Sequence, residues 1–492
     1  MTVDANGVGE FRWTARHTMA LVILCLAQVL DGIDITIVNV ALPAVRADLG
    51  FSASALPWVV NAYMVMFGGF LLLGGRVGDL YGRRRVLLAG VALFALASLV
   101  SGVVQNPGEL IGARAVQGLA AALIAPMTLA LIGVIFPAGR PRNRAFAAWA
   151  SSYGISSALG LLLGGLLVDG PGWRWIFFVN VPIGVAVALA TIAYVPGDRP
   201  VRRHRRFDVV GAVTSTAGVG LLSYAVLQTD GGGWGSARTL ALLAASLLLL
   251  GYFVVHETRV ASEPLVSVGL LRARLGVAGA TAVSALRGAA MFALFFFATL
   301  YQQQVLHYSA LQTGLNYLPM TAILIVAAAF GPILVRWIGI RLAVVAGSLI
   351  AAAGMVLFAG ISANGSLLDV IVPSVVVCFG LAIVIVPTTI AALGNAPAEH
   401  AGVVSALQNV SLQLGGALGL AVLARLVTQR TTNELAAGRP LAVALTDGFG
   451  LSFAITGALM LGAAVLGAVL FGEQGRGERI DVTELQKSSI DT

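Results

Sequence analysis

Charge is what this 492-residue sequence has least of: 11% of its residues are Asp, Glu, Lys or Arg, while 58% are hydrophobic. Soluble globular chains carry about 25% charged residues, so water-exposed domains cannot be built from this composition. Lysine is almost missing, Lys487 being alone among 30 basic residues. The two cysteines, Cys25 and Cys378, fall inside apolar runs. That excludes a disulfide framework and a thiolate metal site, and both read as small core residues. The five histidines, His17, His204, His256, His307 and His400, are scattered near the ends of apolar runs. With no His/Asp/Glu set at metal-ligand spacing, a membrane-embedded lipid-modifying enzyme finds no support, and no enzyme is expected. A Gly-x-x-x-x-Gly-Lys-Ser/Thr phosphate loop is also missing, and no loop could hold a nucleotide-binding domain.

What is present is apolar sequence in long blocks. At ~35 residues per span and connection, the chain accommodates roughly fourteen membrane spans and little else. Candidate spans centre near Ile33, Val65, Ala95, Leu123, Ser157, Val185, Val219, Leu247, Phe292, Leu324, Ile350, Ile383, Gly415 and Met460. The expected class is an all-α polytopic membrane protein, its 59 glycines allowing close helix contacts in lipid.

The sides of the membrane follow from the basic residues, because short basic loops are retained in the cytoplasm. With the N-terminus inside, the inner segments collect twenty-one of the basic residues, among them Arg83 to Arg85, Arg140, Arg142, Arg144 and the Arg199 to Arg206 cluster. The outer segments collect five, Arg46, Arg174, Arg238, Arg430 and Arg439, and four fall within or at the edges of spans: Arg76, Arg114, Arg287 and Arg425. The formal charge of +8 thus reports topology and not nucleic-acid binding. Arg12 and Arg16 ahead of an apolar stretch resemble a signal peptide, but Asp31 and Asp34 interrupt that stretch and no small-residue cleavage site follows, so the first span is expected to be retained. The polar tail, residues 473–492, reads as a disordered cytoplasmic end.

Gly75-Arg76-Val77-Gly78-Asp79-Leu80-Tyr81-Gly82-Arg83-Arg84-Arg85 closes the second span. Gly78 and Gly82 suit a tight turn and close helix approach, and Asp79 can pair with an arginine or a helix N-terminus. The segment resembles the signature loop of the major facilitator superfamily. Asp34-Ile35-Thr36-Ile37-Val38-Asn39-Val40-Ala41-Leu42-Pro43, Arg114-Ala115-Val116-Gln117-Gly118, Trp173 to Gly184, Tyr301 to Pro319 and Gln408 to Gly416 are similar to patterns of its fourteen-helix drug:proton antiporter branch. The resemblance covers essentially the whole chain. It implies two six-helix bundles with two inserted helices: an N-terminal bundle at 1–196, a basic linker with the inserted pair at 197–274, and a C-terminal bundle at 275–472. Gly154, Gly160, Gly164 and Gly165 lie where that branch carries its antiporter motif, but Leu161 stands at the usual proline, which leaves the direction of transport open. Pro332 to Arg341 is a worn copy of the first loop: Gly339 and Arg341 match Gly82 and Arg84, while Arg336 replaces Asp79. The match of Gly415 and Gly419 to Gly160 and Gly164 supports the same parallel repeat.

Carboxylates in hydrocarbon are costly and mark function by default, and only Asp31 and Asp34 fall deep in a span. Their i, i+3 spacing puts them on one helix face, where mutual repulsion favours holding a proton. By resemblance Asp34 is the expected coupling residue and Asp31 its assistant. Arg114 is the natural partner within the same half. Gly75, Gly78, Asp79, Gly82, Arg83 and Arg84 form the expected conformational gate. Arg287 stays open between a counter-ion, a contact to an anionic or phenolic substrate, and a snorkelling position near the cytoplasmic edge. A drug-sized, mostly apolar cavity is expected from Trp58, Asn61, Tyr63, Phe292, Phe296, Tyr301, Asn316, Asn409 and Gln413.

The expected function is proton-coupled export of an amphiphilic, drug-like or antibiotic-like molecule across the plasma membrane by alternating access. Protons, the bilayer and the substrate are its expected partners. No cofactor is expected beyond the proton-motive force. Uptake by proton symport or facilitated diffusion on the same fold is the competing reading. Arginine in place of lysine, with abundant Ala and Gly, points to a GC-rich bacterial genome. Oligomeric state is not legible, and a monomer is the working expectation.

Overall fold

The computed structural model describes residues 13–137, 139–197, 208–227, 235–261, 275–394 and 401–471. The Arg199 to Arg206 cluster and the 473–492 tail lie outside them. The described residues form helices α1 (Ala15–Leu49), α2 (Trp58–Tyr81), α3 (Arg83–Val103), α4 (Pro107–Ile135), α5 (Arg140–Asp169), α6 (Trp175–Phe178), α7 (Asn180–Tyr194), α8 (Val209–Leu227), α9 (Ala237–Val255), α10 (Leu275–Gln304), α11 (Ala310–Asn316), α12 (Leu318–Ala359), α13 (Leu368–Gly394), α14 (Ala401–Ala436) and α15 (Leu441–Leu470). A π-helical turn, His256–Val260, extends α9.

Among the described residues, thirteen helical segments are long and apolar enough to cross a membrane. The count of fourteen is recovered at α12, whose 42 residues would stretch ~60 Å as one straight helix. Gly339 breaks it with φ 79° and ψ 168°, so α12 is two crossings joined at a sharp corner. Gly82, between α2 and α3, turns at φ 93°. The two glycines matched by sequence therefore occupy the same left-handed corner, a conformation that L side chains rarely adopt. With alternating crossings, the start of α1 and the end of α15 lie on one face, here the terminal face, opposite the distal face.

Local signals set the helix ends. Asn106 caps α4 by accepting from the Glu109 amide at 3.0 Å, with Pro107 in the first helical position. Ser309 and Gln312 form a reciprocal capping box on α11. Gly50, at φ 71°, ends α1.

Packing is by glycine contact. In the N-terminal half, a Cβ on Gly160 would stand 2.1 Å from Thr36 Oγ1 and one on Gly164 3.1 Å from Ile37, so α5 lies directly on α1. In the C-terminal half, a Cβ on Gly415 would stand 2.4 Å from the Ala285 carbonyl and one on Gly419 2.4 Å from Ala289, bringing α14 onto α10. The repeat read from these glycines is thus a repeat of helix contacts. The inserted pair packs on itself, Ser246 donating to the Gly218 carbonyl at 2.9 Å. Its α8 lies along both α2 and α14, one helix from each half, with Thr216 seated in the space that Gly69 leaves open.

Gly118 is a tight backbone contact beside the site, since a Cβ there would meet the Tyr63 carbonyl of α2 at 2.2 Å. Gly112, six residues earlier on α4, faces open space. Gly118→Ala is expected to force α4 from α2 and destabilise the purified protein by about 1–3 kcal/mol, seen as a lowered Tm in detergent, while Gly112→Ala leaves Tm unchanged. Equal shifts in the two variants would contradict this packing.

Candidate functional site

Four helices, α1, α2, α4 and α6, meet at one buried guanidinium. Arg114 is 1% exposed, one turn before Gly118 on α4, so the close α2 contact carries it against α2. Its Nε donates to the Val59 carbonyl at 2.9 Å, and its Nη1 donates to Asp34 Oδ2 of α1 and, at 2.9 Å, to Gln117 Oε1. The guanidinium carbon lies 4.6 Å from the centre of the Tyr63 ring, a cation–π contact, with the Phe177 ring on α6 at 6.0 Å.

Asp34 is fully buried near the middle of α1 and is surrounded by donors. Besides Arg114, its Oδ1 accepts from Gln117 Nε2 at 3.1 Å and from Asn180 Nδ2 of α7 at 3.0 Å. Gln117 in turn donates to Ser98 of α3 at 2.8 Å. A buried carboxylate with a cationic partner and two amide donors is a satisfied charge.

Asp31, one turn earlier, has a different setting although it is 1% exposed. The Tyr63 hydroxyl donates to its Oδ1, and Gln28 Nε2 donates to its Oδ2 at 3.2 Å. Both donors are neutral. Tyr63 links the two acids, bonding Asp31 through its hydroxyl and lying under Arg114 with its ring. Tyr63 thus joins the ionisable network.

The other expected cavity residues are dispersed. Trp58 packs against the Tyr224 ring of α8 at 6.3 Å, on the inserted pair. Tyr301 donates to the Ser362 carbonyl at 2.7 Å, and Asn316 donates to Gln302 at 2.9 Å, both near the distal face. Phe296 packs edge-on against Phe297. Asn61, Phe292 and Gln413 lie closer to the seam between the halves. Asn61 is fully buried with no partner among the described residues for either side-chain polar atom. Phe292 closes against Gly416 beside Met64, and Gln413 is against Gly68. Asn409 is exposed and bonds the Ser405 carbonyl of its own helix at 3.3 Å. Arg287 is half-buried at the thirteenth residue of α10.

The loop aspartate, Asp79, pairs with Arg83 at 3.0 Å, within its own chain corner and not across to another bundle. Arg83 also reaches the Ala130 carbonyl of α4 at 3.4 Å. A Cβ on Gly78 would meet Met127 Sδ at 2.0 Å and one on Gly74 the Ala122 carbonyl at 2.1 Å, while one on Gly75 would have 3.7 Å to Pro126. The tightest of these contacts dock the end of α2 on α4. Arg84 donates to the Ile192 carbonyl of α7, tying α3 to the end of that helix.

At the distal face the two halves are locked together. Asp169, the last residue of α5, accepts from the Ala310 and Leu311 amides at 3.1 and 2.8 Å, capping α11 of the other half. A Cβ on Gly165 would stand 2.6 Å from Leu311 Cα, and one on Gly314 2.4 Å from the Leu161 carbonyl. Gln303 donates to the Val40 carbonyl of α1 at 2.9 Å. The antiporter-motif helix thus forms part of this closure, with Leu161 fully buried in it. The surroundings of Gly154 lie outside those described.

A family model described as Major Facilitator Superfamily matches residues 24–420. The chain belongs to that superfamily. It is 39% identical over 423 residues to the cephamycin export protein of Amycolatopsis lactamdurans, covering 85% of this chain and 87% of the relative. It is 36% identical over 437 residues to a puromycin resistance protein of Streptomyces alboniger, covering 88% and 86%. A tetracenomycin C resistance and export protein of Streptomyces glaucescens is 34% identical over 426 residues, covering 87% and 78%. Among solved structures, the POT family transporter PepTSo superposes with a TM-score of 0.68 at 15% identity over 94% of this chain and 98% of that one. A bacterial homologue of the lysosomal transporter Spinster, inward-facing and unoccupied, gives 0.68 at 15% identity over 93% and 98%. The fold is therefore the major facilitator fold, and the chain is a multi-pass membrane transporter of the drug-efflux branch, not an enzyme.

Gln117 and Asn180 complete the site but were not singled out from sequence, although both lie in the family-like runs. Their signal was an amide side chain within an otherwise apolar span.

Asp34→Asn leaves a cation buried without its counter-charge and is expected to destabilise the protein by about 3–5 kcal/mol, whereas Asp34→Asn with Arg114→Gln removes both charges and recovers most of that loss. Tm in detergent reads the double-mutant cycle. A double variant as unstable as the sum of the singles would show that the two side chains act independently.

Proposed function

We propose that this protein is a proton-driven exporter of antibiotic-like small molecules in which Asp34 couples protonation to conformation and Asp31 stores the proton. The supporting observation is the pair of buried acids with opposite surroundings, one held by Arg114 and one held only by neutral donors.

Gln28 supports the storage role. Its Nε2 donates to Asp31, while its Oε1 is buried with no partner among the described residues. Turning the amide over would aim Oε1 at Asp31, to accept the proton of the neutral acid. One side chain can therefore serve both protonation states. A proton passed from Asp31 to Asp34 would release Arg114 and force the N-terminal half to rearrange. In the reading adopted here, the terminal face is cytoplasmic, as the twenty-one to five distribution of basic residues supports. The distal closure through Asp169 then corresponds to an inward-facing state that admits substrate from the cytoplasm. An external proton reaching the acids in the outward-facing state favours release.

No cofactor takes part in this reading. One net charge moving inward across ~100 mV supplies about 2.3 kcal/mol, a gradient of roughly fifty-fold before any pH difference is added. The relatives' named substrates are chemically diverse, and here the substrate class is an amphiphilic secondary metabolite of one to several rings.

In proteoliposomes with an imposed pH gradient, puromycin and a cephamycin are the first probes, with a dye reporting proton movement. Substrate-dependent proton release is expected, lost in Asp34→Asn and strongly reduced in Asp31→Asn. Substrate flux that ignores the gradient in wild type, or flux running with the protons, would replace export by facilitation or uptake. For orientation, Ala53→Cys, exposed in the distal α1–α2 loop, is expected to react with a membrane-impermeant maleimide in intact cells. Labelling only after permeabilisation would invert the topology.

A further inference from the structure

The family-like run Tyr301 to Pro319 takes no part in the network around Asp31 and Asp34, and the fold makes it one stiff piece of the C-terminal half. Tyr301, near the end of α10, donates to the Ser362 carbonyl at 2.7 Å. Gln302 is fully buried and accepts from Asn316 Nδ2 at 2.9 Å, and the Tyr317 hydroxyl lies 2.9 Å from Thr299 Oγ1. The Tyr308 amide donates to the Gln302 carbonyl at 2.9 Å, folding the connection between α10 and α11 back on itself. These bonds tie α10, α11 and the α12–α13 loop to one another.

Two side chains join this piece to the N-terminal half. The first turn of a helix leaves its amides open. On α11 the Ser309 hydroxyl takes the Gln312 amide at 3.2 Å, and Asp169 of α5 takes the other two, Ala310 at 3.1 Å and Leu311 at 2.8 Å. The second side chain is Gln303, which donates to the Val40 carbonyl of α1 at 2.9 Å. Val40 lies between Asp34 and Pro43, whose ring nitrogen cannot donate to the helix ladder. Because α1 and α5 are pressed together at Gly160 and Gly164, both points of attachment sit on one unit.

The glycine contacts at Gly165 and Gly314 bring the two backbones together, but close packing alone is tolerant of small slips. The hydrogen bonds of Asp169 and Gln303 exist in one register only. Asp169 is exposed. When the halves part, its carboxylate and the two amides pass to water, which replaces most of what they lose. Breaking this contact is therefore reversible, unlike stranding a buried charge such as Arg114. A carboxylate on two amides is nevertheless charge-assisted, strong enough to bias an equilibrium between two conformations without fixing it.

We infer that Asp169 and Gln303 are positioning residues of the transport cycle, a two-point latch between the α1–α5 unit and the stiff Tyr301–Pro319 piece whose strength sets the balance between distal-closed and distal-open states. Neither residue binds substrate or carries the transport proton. Each acts through the closure: the latch is made when the distal face is shut and is lost when the two halves part there. Gln303 ties the closure to the helix that carries Asp34, and Asp169 ties it to the helix packed against that one. The latch works in the same way whichever direction substrate moves and whichever acid is protonated.

Spin labels on Ala53→Cys and Asn364→Cys, exposed in distal loops of opposite halves, read this balance as a distance. The measurement uses the detergent-purified full chain with Cys25 and Cys378 replaced by alanine. Without further change, the short distance is expected to dominate. Asp169→Ala is expected to raise the ratio of long to short distances about fivefold or more, and Gln303→Leu about twofold or more. Asp169→Asn keeps one accepting oxygen and is expected to fall between Asp169→Ala and the parent. Asp369→Ala is the control, because Asp369 accepts from the Ser366 amide at 2.6 Å within one half. It is expected to leave the distances unchanged, whatever its effect on Tm. Unchanged distances in either Asp169→Ala or Gln303→Leu, even with a lowered Tm, would reduce that residue to a cap or packing contact and overturn the two-point latch. An equal shift in Asp369→Ala would overturn it as well. The readout needs neither substrate nor gradient, so its failure leaves the roles of Asp31 and Asp34 untouched.

Discussion

A guanidinium shielded from water in a helix bundle is tolerable only if every element around it helps to hold its charge. Arg114 sets that condition for the N-terminal half. It needs a carboxylate, which α1 supplies as Asp34; a backbone carbonyl, which α2 supplies at Val59; and an amide to share the carboxylate, which α4 supplies at Gln117. Asn180 and Ser98 complete the set from α7 and α3. Losing any one contact leaves a buried polar group unsatisfied, which costs far more than the contact gains on forming. The close α2–α4 approach at Gly118 is part of the same requirement, because a wider gap would take the Val59 carbonyl and the Tyr63 ring out of reach.

The two halves are unequal in charge but alike in packing. Gly160 and Gly164 bring α5 onto α1 as Gly415 and Gly419 bring α14 onto α10, and Gly82 and Gly339 turn the same corner. Duplication has preserved close contacts and left-handed corners, where few residue types fit, more faithfully than the charges. The Asp34–Arg114 pair lies in the N-terminal half. In the proposed mechanism, conformational change would start at the Asp34–Arg114 pair and pass through close-packed surfaces. The distal closure fits this division, since Asp169 reaches from α5, which rests on α1, to cap a helix of the other half.

How much was legible in the sequence depended on whether a residue's role could be read from its type alone. Asp34, Asp31 and Arg114 stand out because charge within a span is rare, and the glycine repeat stands out because its spacing recurs. The bond of Tyr63 to Asp31 was not legible, because a buried tyrosine is usually packing or cavity wall and only the α2–α1 register reveals it. The contact between His256 Nε2 and Asp208 Oδ1 at 2.8 Å was not legible at all. The histidine was read as one of five scattered near span ends, and its approach to Asp208 depends on a π turn that leaves no clear mark in residue periodicity. Asp169 is likewise an ordinary helix-terminal acid until the fold brings the start of α11 to it.

The two acids of α1 differ in what a proton does to each of them. Neutralising Asp34 removes the counter-charge of Arg114 while Val59, Gln117 and the aromatic rings remain, and these neutral groups cannot stabilise a buried cation alone. The N-terminal half is then under several kcal/mol of pressure to find an arrangement in which Arg114 meets water or another acid. Neutralising Asp31 creates no such pressure, because its donors are uncharged and Gln28 can turn to accept. A proton on Asp31 is therefore compatible with the closed distal face, whereas a proton on Asp34 is not compatible with this packing for long. In the proposed coupling, spacing the two acids one helical turn apart, with Tyr63 in contact with both environments, would let a proton be held on one and then moved a few ångströms to where it forces a change of conformation.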